Sequence, residues 1–337
     1  MQGKTNIKLS VLDLVPVVEG GTLTEAFRNT VDLAQHAEKW GYHRYWLAEH
    51  HSMEGIASSA TSVIIAHVAA HTNKIRVGSG GIMLPNHAPL AIAEQFGTLE
   101  AMFPGRIDLG IGRAPGADRP AIRALRRNLF SDGSDFPEQL HELRSYFNPE
   151  LGGAVPGVKA VPGEGMDIPI WLLGSSGFSA QLAAQLGFPF AFASHFAPDY
   201  LLPALELYRS TFQPSPALDK PYVMIGVNVI AADTDEEAQW LATSMKQQFL
   251  NVIRGGSGRL QPPKENIDEL MSQEEKWVLQ RMLKYTAIGS PDTVRKELEA
   301  MIEETQADEL IVTNQIFDHQ ARLRSYELLA EAMGLKN

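Results

Sequence analysis

Eight near-continuous apolar runs alternate with segments of helical period along the 337 residues. Buried parallel strands read as unbroken apolar stretches of this kind, and eight of them close most naturally as a barrel. No Gly-x-Gly-x-x-Gly follows the first run, which disfavours an open doubly wound sheet. The nearest approach, Gly110-Ile-Gly112-Arg-Ala-Pro-Gly116, has other spacing and a proline where a helix should begin. The sequence therefore predicts an α/β chain folded as one (β/α)8 TIM barrel domain over residues 1–337. It adds an excursion after strand four and a mobile loop after strand seven.

Residues 7–15 (IKLSVLDLV) make the first strand and PVVEGG a turn. Over 24–40, Phe27, Val31, Ala34 and Ala37 share one face at three- and four-residue spacing, and Gly41 ends that helix. Strand two covers 42–48 and runs into Glu49-His50-His51. The helix over 59–72 is apolar on most sides, which predicts burial against more than its own sheet; a subunit interface is one explanation. Strand three spans 74–83, a helix follows from about Pro89 to Met102, and strand four spans 106–112. Residues 114–167 hold a basic helical segment (Arg119, Arg123, Arg126, Arg127), an amphipathic one (Leu140, Leu143, Phe147) and a Pro/Gly-rich stretch. They read as a crossover helix plus an excursion, with the arginines on a solvated face. Strand five is 168–173, after which GSSGFSAQLAAQLG turns directly into a helix. Strand six is 188–194, followed by His195 and another helix. Strand seven is 222–232, and Thr234 with Glu237 makes a capping box. Residues 254–275 are rich in Gly, Pro and charge and read as the mobile loop. Ser290 and Pro291 open a helix, 309–316 is strand eight, and the last helix carries Leu323, Tyr326, Leu329 and Met333.

Composition narrows the function. Forty Asp and Glu against 29 Lys and Arg give a formal charge of −11, which argues against nucleic-acid or membrane-surface binding as the main role. With no cysteine, disulfides, thiolate zinc sites, iron–sulfur clusters and cysteine nucleophiles are excluded. The opening MQGKTNIKLSVLDLV is too short in apolar residues for a leader or a span, so cytoplasmic residence is expected.

The chemistry gathers at strand ends. In strands three and four, Ile75, Val77, Ile107, Leu109 and Ile111 line one parity. Gly78, Gly80, Gly110 and Gly112 leave the other nearly bare, because successive side chains point to opposite faces. Two adjacent bare walls predict a flat ligand lying over them, or else relief of crowding inside the barrel. Barrel active sites lie at the carboxyl ends of strands. That rule collects Asp13, Glu49-His50-His51, Gly80-Gly81, Arg113, Gly174-Ser175-Ser176, Ser194-His195 and Asn314 into one mouth. The strand–GSSG–helix turn is the expected phosphate site: a helix amino terminus offers free N–H groups, Ser176 and Ser179 add hydroxyls, and Arg113 can clamp the same anion. Of the consecutive His50 and His51, one faces the mouth. His67 and His71 lack the glutamate of a zinc protease, so no metal is expected, and no Gly-x-Ser-x-Gly elbow is present.

YHRYWLAEHH, KIRVGSGGIMLPNHAPLAIAEQFGTLEAMFPGRIDLGIGRAPG, IPIWLLGSSGFSAQLAAQLGFPFAFASHF and DHQARL, in that order, resemble the bacterial luciferase-like flavin monooxygenases across essentially the whole chain. Within them the chain looks most like the single-chain, alkanal-monooxygenase-like branch. The resemblance implies a barrel binding FMN, with reduced flavin delivered by a separate NAD(P)H-dependent flavin reductase. O2 would be captured as a flavin C4a-hydroperoxide and used on a small organic substrate, an aldehyde among the candidates. A homodimer packed through the second and third helices is also implied. By position, His50 matches the family's active-site histidine and Arg113 its flavin-phosphate arginine. Ser176 and Ser179 match phosphate-binding hydroxyls within the turn Gly174-Ser175-Ser176. Gly80-Gly81 falls where the family has a non-prolyl cis peptide beneath the isoalloxazine ring, and 254–275 where it has a lid. Bioluminescent members carry a cysteine at Gly112 and a glutamate at Ser175, so light emission is not implied. Two other readings share the architecture: a deazaflavin (F420) oxidoreductase, for which the arginines of 119–127 are the candidate basic residues, and a non-catalytic flavin-binding protein.

Overall fold

A computed structural model describes residues 7–114, 116–125 and 133–335. Nine strands are present: β1 (Lys8–Asp13), β2 (Arg44–Leu47), β3 (Arg76–Met83), β4 (Ile107–Gly112), β5 (Ile170–Gly174), β6 (Phe190–Phe192), β7 (Val223–Ala231), β8 (Thr286–Gly289) and β9 (Glu309–Thr313). The helices are α1 (Leu23–Lys39), α2 (Thr61–Ala70), α3 (Pro89–Met102), α4 (Arg119–Leu125), α5 (Phe136–Phe147), α6 (Gly177–Leu186), α7 (Leu201–Thr211), α8 (Asp235–Ile253), α9 (Gln273–Met282), α10 (Pro291–Thr305) and α11 (His319–Met333).

Strands β1 to β7 pair in sequence order, and β9 closes the ring between β7 and β1, all in parallel. This is the expected eight-stranded (β/α)8 barrel. The ninth strand is a departure from the sequence reading. β7 is nine residues long: its first half pairs with β9 from Met224 to Asn228, and its second half, Asn228 to Ala231, pairs with β8. β7 thus outruns the barrel and carries β8 as a two-stranded ledge. Thr-Ala-Ile-Gly is too short and too weakly apolar to announce a strand between two helices.

The barrel interior explains the glycines differently from the ligand reading. Leu12, Trp46, Trp171, Ala191, Met224 and Ile311 fill it, with the two indoles edge to face at 5.2 Å. A Cβ on Gly78 would stand 2.9 Å from Trp46 Nε1, and one on Gly80 would stand 2.7 Å from Leu12 Cδ1. The bare wall of β3 therefore admits the bulky residues of β1 and β2; close packing leaves no room for both. Below the indoles lies a buried charge layer. Arg44 donates to Asp108 (2.6 Å) and to Glu309 (3.1 Å), Arg76 donates to Asp108 (2.6 Å), and Trp46 Nε1 (3.2 Å) donates to Asp108 and Tyr222 (2.9 Å) to Glu309. Burial works against the Arg44 charge, but the two carboxylates outweigh it and raise its pKa.

The excursion after β4 holds α4 and α5, the latter packed against α3. Arg119 and Arg123 are exposed, as expected of a solvated face; Arg126 and Arg127 lie outside the described residues. The stretch 254–275 is more tied down than a free loop. Leu260 exchanges backbone hydrogen bonds with Val17 (3.0 Å) and Glu19 (2.9 Å), and Ile267 and Met271 are buried in a second core with α8. At α8 the Thr234 hydroxyl accepts from Glu237 N–H. Reciprocal capping boxes form at Thr22 with Glu25 and at Ser272 with Glu275.

Candidate active site

The turn from β5 into α6 is built to receive an anion. Ser176 is extended (φ −144°, ψ 166°) and α6 starts at Gly177, so the N–H groups of the first turn point out of the helix without intrahelical acceptors. Ser179, in that first turn, is buried, and its Oγ occupies the space a side chain on Gly174 would need: a Cβ there would stand 2.4 Å away. Gly112 pairs with Leu173, which brings the end of β4 alongside. Arg113 then extends over the Phe178 ring at 4.3 Å. Among the described residues the guanidinium has no carboxylate partner. The structure thus brings Arg113, Gly174, Ser176 and Ser179 together, with Ser175 exposed on the turn. A permanent cation, a hydroxyl and a helix amino terminus converge there, a combination suited to phosphate.

Gly80 and Gly81 lie in the second half of β3, between β2, which leads to the histidines, and β4, which leads to Arg113, and the peptide joining them is cis. A side chain on Gly81 would meet the Gly110 carbonyl at 2.8 Å, so the backbones of β3 and β4 approach closely beneath the mouth.

The two consecutive histidines are sorted by Glu49. Its side chain is fully buried and accepts from His51 Nε2 (2.8 Å), His87 Nε2 (2.9 Å) and Met83 N–H (2.9 Å). Burial alone would raise its pKa; the hydrogen bonds and charge of His87, with His51 and Met83 N–H, reverse this and hold it below the usual carboxylate range. Glu49 therefore pins β2 to the end of β3 and turns His51 away from the mouth. His50 stays free. Its ring lies against the Gly116 carbonyl, while Nδ1 is buried without a partner. Burial lowers the His50 pKa in spite of Glu49, which favours the uncharged imidazole near neutrality.

A second imidazole stands near it. His195 follows β6 and occupies the slot that a side chain at position 226 would take: a Cβ on Gly226 would fall 2.2 Å from its Nδ1. That Nδ1 is also buried without a partner. Asn228 spends both amide hydrogens fixing the segment, on His195 O (2.7 Å) and Thr286 Oγ1 (3.1 Å), and leaves its Oδ1 buried and unbonded. Burial first, and the charge of His50 second, push the His195 pKa from 6.5 down to about 3. The unfolded chain takes up this proton near 6.5 and the folded chain only near 3. Stabilisation is therefore full above pH 6.5 and lost as pH falls toward 3. His195→Gln is expected to flatten the acid side of the stability curve across this window, measured by urea unfolding at stepped pH. An unchanged slope would mean that His195 does not titrate as its seat implies.

Three residues grouped with the mouth from sequence face elsewhere. Asp13 accepts from Thr30 Oγ1 (2.7 Å), Tyr45 OH (2.5 Å) and Arg322 (2.9 Å), in the layer between the sheet and helices α1 and α11. Asn314 donates to Val229 O and Ser325 Oγ, toward α11. Ser194 donates to Gly226 O. Conversely, His87, Gly226 and Asn228 escaped the sequence reading. The inward parity of Met224, Gly226 and Asn228 on strand seven was the available signal for the last two; nothing in the sequence marked His87. Among the described residues no group of three or more potential ligands could hold a metal, and no helix is long and apolar enough to cross a membrane.

Comparison with known proteins identifies the family. Residues 7–309 match the luciferase-like monooxygenase family model. An uncharacterised Bacillus subtilis protein, YvbT, is 60% identical over 96% of both chains. An Escherichia coli protein named luciferase-like monooxygenase is 55% identical over 97% of both. Among solved structures, apo-MsnO8 superposes with a TM-score of 0.91 at 38% identity, covering 98% of this chain and 99% of that one. With the family model spanning residues 7–309 and relatives of this identity matched along almost their whole length, the chain belongs to the luciferase-like monooxygenase family and is an oxidoreductase.

Proposed function

We propose that this chain is the oxygenase of a two-component system: it binds reduced FMN in the barrel mouth and uses O2 on a small organic substrate, with a separate NAD(P)H-dependent reductase supplying the flavin. The observation that carries this reading is Arg113, without a carboxylate partner among the described residues, over Phe178 in the first turn of α6, the turn that also holds Ser179. Relatives named N-acetyl-S-alkylcysteine monooxygenase (33% identical) and the oxygenase component of flavin-dependent trigonelline monooxygenase (22%) support it. A solved 3,6-diketocamphane monooxygenase in complex with FMN shares the fold at 19% identity, as does an F420-dependent alcohol dehydrogenase at 13%.

Bound reduced flavin supplies the electrons and the activation of O2. The protein's own groups do the rest. Arg113 and the α6 N–H groups would hold the phosphate. Gly80 and Gly81, packed against Leu12, Trp46 and the Gly110 carbonyl, would lie beneath the ring. The His50 imidazole would accept or return a proton at the reacting edge. His195, neutral above about pH 3, offers hydrogen bonds without a competing charge. The segment tied down at Leu260, and Gly116, whose carbonyl accepts from His51 N–H, would keep water from the mouth. Residues 1–337 work as one cytoplasmic domain, and Val63 of α2 and Met102 of α3, both largely exposed, support a homodimer packed through these helices.

Titration with oxidised FMN, photoreduced FMN and F420, followed by absorbance and fluorescence, tests the reading. Tight binding of reduced FMN with O2 consumption is expected; preference for F420 would overturn it. Arg113→Ala should weaken FMN binding by about 1.5–3 kcal/mol, the scale of a charged hydrogen bond. Unchanged affinity would remove Arg113 from the site.

A further inference from the structure

Beside the mouth, and outside the residues that would hold a flavin, lies a cavity of about 400 Å³ between α8, α9 and the ledge strand β8. Its floor is apolar, from Met271, Leu279, Leu283 and Ile288. Lys246 and Lys276 flank it. Both are partly buried, yet among the described residues neither has a carboxylate within ion-pair distance; the lining Asp268 is exposed. Lysine stems lie readily along apolar surface with the ammonium in water, and two ammonium groups left without a carboxylate beside an oily floor suit one ligand chemistry: an anionic head on an apolar tail. Of the two remaining lining residues, Gln280 and Thr286, Thr286 is the acceptor of Asn228 Nδ2, whose other hydrogen holds the His195 carbonyl. The cavity and the mouth therefore share a wall.

We propose that this cavity binds an amphiphilic organic carboxylate, its head between Lys246 and Lys276 and its chain along Met271, Leu279 and Ile288. The site stands on the ledge and does not depend on flavin binding in the mouth. Through Thr286 and Asn228 its occupancy is felt at His195. The carboxylate is either the compound oxidised in the mouth or an effector of that reaction.

Trp277, next to Lys276 and largely exposed, provides a fluorescence signal. Decanoate and decanol serve as probes at concentrations below micelle formation, on the wild type and on a K246Q/K276Q double variant, with oxidised FMN titrated in parallel. Saturable decanoate binding is expected, about tenfold weaker for decanol and at least about tenfold weaker in the double variant, with the FMN titration unmoved by the substitutions. Equal binding of acid and alcohol, equal binding by the double variant, or no saturation would overturn the site and leave the lysines as covers for an apolar groove. An FMN titration that fails on its own would count against the flavin reading and not against this one. In the complete system with reductase, recovery of oxidised decanoate identifies a substrate; unchanged decanoate with altered FMN affinity identifies an effector. Either keeps the assignment.

Discussion

His50→Gln is expected to lower oxygenation about 10²–10⁴-fold, the usual loss when a positioned acid–base group is removed, while FMN affinity stays nearly unchanged. The reason is where the ring is left: Glu49 engages His51 and His87 but not His50, and among the described residues the His50 Nδ1 has no protein partner. Glutamine fills a similar volume but cannot take up the proton. The direction of the pKa shift adds a second signature. Because burial lowers the His50 pKa, the basic form persists below pH 6.5, so the acid limb of the wild-type pH–rate profile lies under that value and disappears in the variant. Rapid mixing of the photoreduced FMN complex with O2, with flavin oxidation and product followed across pH, gives both readouts. Wild-type turnover with an intact acid limb would make His50 a structural residue.

Asp108→Asn is expected to cost about 3–5 kcal/mol of folding stability, the scale for breaking a buried ion pair by removing one partner. Asp108 is fully buried and faces two guanidinium groups, Arg44 at 2.6 Å and Arg76 at 2.6 Å. Arg44 is itself nearly buried and would keep only Glu309. The Arg76 contact is part-exposed and contributes less, so most of the loss belongs to Arg44. Urea unfolding should show a lower midpoint at an unchanged slope. A shift equivalent to less than about 1 kcal/mol, the range of a surface pair, would mean that water reaches this layer. Since the layer lies at the opposite end of the barrel from Arg113 and His50, flavin affinity should survive in the folded fraction.

Strand positions were legible because each barrel strand is buried on both faces and reads as an apolar run. The meeting of Arg113 with the β5–α6 turn was legible because Gly174 to Ser179 are contiguous and Arg113 follows a strand end directly. What failed was what requires a partner from afar. Alternation in β3 showed where side chains were missing, but not that Trp46 and Leu12 fill the gap. Asp13 is the last residue of β1 and alternates with the inward Leu12, so it faces α1 and α11, while Asn314 lies past the end of β9, where side-chain parity is no longer fixed by the pleat. The choice between His50 and His51 rests on Glu49 being shared with His87, across the β2–β3 connection. The seat of His195 depends on the absence of a side chain on a different strand. Such relations are tertiary, and local pattern does not encode them.

The two-stranded ledge made by β7 and β8 has a consequence for how this protein can diverge. Ile230, Leu241, Met245, Phe249, Ile267, Met271, Leu279 and Ile316 form a core of their own, apart from the one that holds the barrel closed. Substitutions, lengthened connections and even local opening can therefore be absorbed on the ledge while the ring of eight strands keeps its register. The barrel and its anion cradle form the inherited part of the molecule. The ledge is the part that selection can reshape, so new chemical preferences can be tried there without putting the fold at risk.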